Sequence, residues 1–175
     1  MIRKFFTIGA LAGFCMAVNA QSKGGVVLNV KLHPIQTLVV NKSQNEVNLN
    51  YVTKEDYAGG VTSKQTDHLT IYSTSGFQVK VKSNVQLSGT QQNIASNTIS
   101  VTPSAGSKPL PNANYISRKL SSEEQSIILS TTGGTDRNFT IDYSGAGGDA
   151  YINYYNSSEN TSVYTTEVLY TIIAQ

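Results

Sequence analysis

Beyond position 15 the chain has no cysteine, and it has no tryptophan anywhere. The residues after Cys15 therefore cannot close a disulfide among themselves, and a cysteine-rich zinc site is excluded. Charge is sparse as well: Asp, Glu, Lys and Arg make up 14% of the residues, and Arg3 and Lys4 account for the whole formal net charge of +2. The rest of the chain is neutral overall, with no basic stripe to neutralise phosphates, so nucleic acid and anionic membrane surfaces are not expected partners. Long apolar runs are missing too. The longest, Phe5 to Val18, is about 14 residues, short of the roughly 20 that a spanning helix needs, so no transmembrane anchor is expected.

That short run is informative in another way. Arg3 and Lys4, the apolar stretch and the small-residue ending Val18-Asn19-Ala20 have the layout of a secretory signal peptide. The expected cleavage falls between Ala20 and Gln21, leaving residues 21–175 as a single exported domain in the periplasm, at the cell surface or outside the cell. Cys15 follows Phe14 inside the apolar run, which is not the lipobox position of a lipoprotein. About a quarter of residues 21–175 are Val, Leu, Ile or Phe, above the level of roughly a fifth that accompanies disorder. A folded core is expected.

The apolar residues recur with a period of two. Val26, Leu28, Val30 and Leu32 alternate with Val27, Asn29 and Lys31, and Pro34 ends the pattern. This predicts a first strand. Further strands are predicted over Ile35 to Val40 and Val47 to Val52, joined by the polar turn Asn41 to Asn45. Lys54 to Gly60 reads as a charged loop. Leu69 and Ile71, then Phe77, Val79 and Val81, separated by Ser73-Thr74-Ser75-Gly76, read as a hairpin, with Gln78, Lys80 and Lys82 on its wet face. Val85 to Leu87, Ile99 to Val101, Ile127 to Leu129 and Phe139 to Tyr143 follow. Pro103 to Tyr115 reads as loop, and Ser121-Ser122-Glu123-Glu124 as at most one helical turn. The Tyr-dense stretch Tyr151 to Tyr155 resembles a strand. Val163 to Ala174 is the longest alternating run, with Val168, Tyr170 and Ile172 on one face, and is expected to be a central strand. Short strands joined by Gly, Asn, Ser and Pro turns, with no helix long enough for crossovers, predict an all-β fold: one immunoglobulin-like or pilin-like antiparallel β-sandwich following the cleaved signal.

No constellation in the chain marks catalysis. Gly145-Ala146-Gly147-Gly148-Asp149-Ala150 matches the G-x-G-x-x-A dinucleotide pattern, but the residues from Tyr151 onward do not read as a helix, so a tight connection is expected. His33 and His68 are the only histidines; no cysteine lies beside them, and structural or surface roles are expected. Asp136, Asp142, Asp149 and Glu159 lack the order of a calcium loop, and no G-x-S-x-G elbow is present. No metal and no cofactor are expected, and the protein is not read as an enzyme. The candidate ligand-binding residues are Tyr151, Tyr154 and Tyr155, since a tyrosine offers an apolar face for a sugar ring and a hydroxyl for hydrogen bonding.

The closing run Val163-Tyr164-Thr165-Thr166-Glu167-Val168-Leu169-Tyr170-Thr171-Ile172-Ile173-Ala174-Gln175 resembles the last strand of small exported bacterial β-sandwich proteins, among them pilin-like spore coat U-type subunits and WxL-type wall-binding domains. The Ala20-Gln21 junction is similar to signal cleavage sites common in Bacteroidota. The resemblance carries the broad class only, since the paired cysteines of many pilins and a Trp-x-Leu motif are both absent. It implies a non-enzymatic structural subunit or adhesion module, with copies of itself or other surface proteins as partners. A polymerising subunit would use the alternating segment from Gly24 to Leu32 to add to a sheet edge in a neighbour; the favoured expectation is that this segment pairs within its own sheet. The alternative is a module binding cell-wall or extracellular glycan through its tyrosines.

Overall fold

A computed structural model describes residues 23–175. The expected signal peptide and the Ala20-Gln21 junction lie outside the described residues. The chain divides into two units, residues 1–32 and residues 33–175. In the first, Lys23–Leu32 carries neither helix nor strand, contrary to the predicted first strand. Val26, Leu28, Val30 and Leu32 are 95%, 87%, 77% and 88% exposed. Alternation marks a segment able to pair, but a strand exists only where a neighbour completes the ladder.

The second unit is mostly β. In chain order its elements are β1 (Gln36–Val40), the short helix α1 (Lys54–Gly59), β2 (Val61–Ser73), β3 (Phe77–Ser83), β4 (Gln86–Ser88), β5 (Asn93–Ala95), β6 (Ile99–Ala105), β7 (Asn114–Tyr115), β8 (Arg118–Lys119), β9 (Gln125–Ser130), β10 (Gly134–Gly145) and β11 (Val168–Ala174). They form a five-stranded sheet of order β1-β2-β10-β6-β8, a four-stranded sheet β11-β3-β9-β7 and the pair β4-β5. All the pairings are antiparallel. Leu69, Ile71, Val101, Phe139 and Ile141 of the larger sheet share one core with Phe77, Val79, Val81, Ile127 and Ile128 of the other.

The predicted hairpin at Ser73–Gly76 is corrected. β2 pairs with β1 and β10, whereas β3 pairs with β11 and β9, so the turn carries the chain from one sheet to the other. Turn-forming residues fix a reversal of direction but not which edges then meet. The wet face of β3 is as expected, with Lys80 and Lys82 against Glu124 at 3.9 and 3.8 Å.

Pro103 sits inside β6 rather than in a loop. Leu120 donates its N–H to the Ile99 carbonyl, so the odd-numbered residues of β6 direct their backbone groups toward β8. That strand covers only Ser100 and Val101, and Pro103 faces an open edge where its missing N–H breaks no ladder bond. Opposite the step from Val79 to Lys80 in β3, β9 carries one extra residue, a bulge that lets Ile127 and Ile128 both be buried.

One further expectation fails for a local reason, and the limit of one helical turn at Ser121–Glu124 is not reached. Lys54–Gly59 is a helix, because Thr53 and Asp56 form a capping box that satisfies N–H groups left free in its first turn. No helical turn forms over Ser121–Glu124; there the Ser121 hydroxyl accepts the Glu123 N–H at 3.2 Å in a local turn.

Candidate functional site

Residues 46–52 follow β1 as an extended segment with the burial pattern of a strand. Val47, Leu49 and Tyr51 are half-buried, while Glu46, Asn48, Asn50 and Val52 are exposed. This is the alternation predicted for a third strand, yet the segment joins no sheet. The last strand is likewise shorter than predicted and differently placed. β11 begins only at Val168 and lies at the edge of its sheet, paired with β3 alone. Residues 162–167 before it carry neither helix nor strand and are anchored at Thr165, which exchanges two backbone hydrogen bonds with Ser88.

Between these two segments runs a groove of about 1270 Å³ that is also lined by Val40 and is floored by Ile99, Leu120, Tyr143, Val168 and Tyr170. The volume exceeds the roughly 300–1,000 Å³ of ordinary small-molecule pockets. Its floor is the continuation of the protein's core.

One end of the groove is closed by tyrosines. Tyr51 packs on Tyr57 at 5.4 Å and edge-on to Tyr151 at 5.0 Å. Tyr151 meets Tyr154 at 6.2 Å, and Tyr154 meets Tyr164 at 5.9 Å, each nearly perpendicular. The Tyr51 hydroxyl donates to the Ala146 carbonyl at 2.8 Å, and its pKa is pushed up to about 12, mainly by burial and then by the neighbouring Tyr151. Residues 151–153 form a turn rather than a strand. Of the three candidate binding residues, the structure brings Tyr151 and Tyr154 together. Tyr155 is 58% exposed and donates to the Glu159 carbonyl. The Tyr151 hydroxyl is committed to Thr98 Oγ1 at 2.7 Å. Perpendicular rings present edges, so this cluster is a packed wall and not a flat stacking surface.

The glycine-rich loop supports that wall. Gly148 and Asp149 donate their N–H groups to the carbonyls of Ala58 and Tyr57 at the end of α1, satisfying acceptors that a helix C-terminus leaves free. Gly147 is needed for the approach: a Cβ there would lie 2.5 Å from the Gly59 carbonyl carbon. With the Gly148 and Asp149 amides turned to α1 and a turn following in place of a helix, the loop lacks the helix N-terminus that a dinucleotide cradle needs.

On the floor lies a polar relay that sequence periodicity does not reveal. β10 advances from Phe139 to Ile141 while β2 runs from Leu69 to Gln65, a bulge centred on Asp67, whose φ is 52°. The Asp67 carboxylate accepts from the hydroxyl and N–H of Ser107 at 2.6 and 2.7 Å, bonds that hold its pKa below the ordinary value. The bulge turns His68 inward, leaving it 2% exposed beside Leu69. Strict alternation would have put it on the opposite face. Positive φ is uncommon outside glycine but tolerated by Asp, so Asp67 was the available signal.

The relay has one consistent proton arrangement. Gln44 donates its amide to the Thr66 carbonyl at 2.9 Å, so its oxygen accepts from His68 Nδ1 at 3.0 Å. His68 Nε2 then accepts from the Tyr143 hydroxyl at 3.0 Å, and Tyr143 accepts from Tyr170. The imidazole is neutral, and burial holds its pKa below the ordinary 6.5. Burial also pushes Tyr143 up to about 12 and Tyr170 well above its ordinary value. The unfolded chain takes up a proton near pH 6.5 that the native state resists, so this contribution to stability is complete above that pH and is lost as pH falls below it. We predict that the urea midpoint drops between about pH 7 and pH 5, and drops less in His68→Asn. Parallel pH profiles for the two proteins would show that His68 is not the group responsible.

The remaining candidates are scattered. His33 is exposed, Asp142 stands opposite Lys64 and Thr102, and Glu159 accepts from Thr90 at 2.6 Å. Among the described residues no three His, Cys, Asp or Glu side chains gather as a metal site, and no helix is long and apolar enough to cross a membrane. No protein-family model matches the chain, and no curated protein matches it.

Proposed function

We propose that the protein is an exported, non-enzymatic structural subunit, a pilin-like β-sandwich that assembles with copies of itself at the cell surface or in the periplasm. The observation that carries this reading is the segment Val26–Leu32: four apolar side chains at alternate positions, each at least 77% exposed, in a stretch with no strand partner. Exposed alternating apolar segments are sheet-edge seekers. Two antiparallel sheets sharing one core support the sandwich, and the layout of Arg3 to Ala20 supports export. The one buried histidine is engaged at both ring nitrogens, with no serine nucleophile among its partners. That favours a structural role for it over general-base chemistry.

The test is oligomeric state. Light scattering of a chain beginning at Gln21 should give polydisperse assemblies, and the same chain beginning at His33 should run as a folded monomer. A monodisperse monomer from Gln21 across the micromolar range would remove the basis of the proposal.

A further inference from the structure

We propose that the groove binds a cationic single-chain amphiphile, an ammonium head on an apolar chain, with the head at the end lined by Glu46 and Glu167 and the chain running toward the tyrosines. The site is independent of the subunit reading above. Its basis is the sorting of chemistry along the groove. Glu46 opens one wall two residues after Gln44, whose side-chain oxygen is bonded to His68 Nδ1. Glu167 closes the other wall three residues before Tyr170, which reaches His68 Nε2 through Tyr143. One imidazole thus brings the two glutamates to the same end. Toward the other end of the walls stand Tyr51 and Tyr164, joined through Tyr151 and Tyr154. All of these residues line the groove.

The glutamate end suits a cationic head. Among the described residues neither Glu46 nor Glu167 takes part in an ion pair, and the lining contains no Lys, no Arg and no other carboxylate. An anionic head would meet two carboxylates and no base, a repulsive juxtaposition. Beside Glu167 the Thr166 hydroxyl is buried without a partner, and buried polar groups call for one. An ammonium N–H is a donor that it can accept. The tyrosine end, by contrast, presents ring edges, the positive side of the aromatic quadrupole, and takes the apolar end of the ligand.

Between the two ends the floor is apolar, with Ile99, Leu120 and Val168 continuing the core. From Glu46 to Tyr51 an extended wall covers about 17 Å. One leaflet of a bilayer's hydrocarbon core is roughly 15 Å thick, so a single chain of that length reaches from the glutamates to the tyrosines. A glycan is the poorer occupant. It needs hydrogen bonds for its many hydroxyls, whereas the hydroxyls of Tyr51, Tyr151, Tyr155 and Tyr164 already donate to Ala146, Thr98, Glu159 and Tyr154. What these tyrosines leave available is ring surface.

Titration calorimetry of the full chain with dodecylammonium tests the site, below the micelle concentration and at about pH 7.5, where an alkylamine is protonated. Saturable binding is expected. Butylammonium, about eight methylenes shorter, should bind at least roughly a hundredfold more weakly, and dodecanoate more weakly on the order of tenfold. The double variant Glu46→Gln, Glu167→Gln, at two exposed positions, should lose on the order of tenfold for dodecylammonium and nothing for dodecyl maltoside, whose head is uncharged. In the wild-type chain the amide chemical shifts of residues 46–52 and 162–167 should move on binding. Equal affinity for dodecanoate, or no loss in the double variant, would overturn the cationic head. Butylammonium binding as tightly would overturn the role of the apolar floor. No saturable binding, or shifts confined to Lys23–Leu32, whose apolar side chains are exposed, would overturn the groove as the site.

Discussion

Phe139→Ala is expected to bring the protein to the edge of unfolding at room temperature. Phe139 lies in β10, the middle strand of the five-stranded sheet, between β2 and β6, and it is fully buried. Its ring meets Phe77 of the opposite sheet at 6.4 Å and Tyr115 at 6.3 Å, both edge-on. The substitution therefore leaves a cavity at the plane where the two sheets join. Phe→Ala changes in cores cost about 3–5 kcal/mol, against a total stability of roughly 5–15 kcal/mol. No disulfide after Cys15 can offset the loss. Urea unfolding followed by circular dichroism should show a large fall in midpoint, with Val39→Ala, at a position 52% exposed, close to wild type. A Phe139→Ala midpoint within the error of Val39→Ala would show that the sheets are not joined there.

Phe139 also illustrates which features are legible in sequence. Its alternation with Ile141 and Tyr143 is the period of a one-sided strand, and all three are buried; Phe77, Val79 and Val81 behave alike. Such patterns are local, written into consecutive residues by the pleat. Partner choice is not local. The same turn residues at Ser73–Gly76 suit a hairpin or a crossing between sheets, and the choice is made by β9, β10 and β11, far along the chain. Bulges are also nearly silent: Asp67 shifts the phase of β2 and buries His68, and only the tolerance of Asp for positive φ hints at it.

The groove was legible in half. Val47, Leu49 and Tyr51 carry a strand's period, and so does Val26–Leu32, but periodicity cannot say that neither finds a partner in this chain's sheets. The tyrosines were visible as a cluster at Tyr151, Tyr154 and Tyr155. Their contacts with Tyr51, Tyr57 and Tyr164 come from chain segments too distant for a spacing argument. The polar relay from Gln44 through His68 and Tyr143 to Tyr170 joins four such segments and has no motif at all.

Removing Val168–Gln175 is expected to abolish cooperative unfolding, even though β11 is an edge strand and not the central one that its length suggests. Val168, Tyr170 and Ile172 are packed against the core from one side. Full burial of such side chains is worth roughly 1.5–3 kcal/mol each, so half-burial of three is worth about 2–4 kcal/mol. The Tyr170 hydroxyl bonded to Tyr143 adds about 1 kcal/mol, and its loss leaves the Tyr143–His68 pair open to solvent. The truncation also strips β3 of its partner along Phe77–Ser83, exposing an apolar edge that invites aggregation. The near-ultraviolet dichroism of the truncated chain should be flattened. Adding a synthetic peptide of residues 168–175 should restore it in part, because an edge strand, unlike a central one, can re-dock without the rest of the sheet opening. A truncated chain that still unfolds cooperatively, within about 1 kcal/mol of the full chain, would mean that the four-stranded sheet is complete without β11 and that the groove floor does not depend on Tyr170.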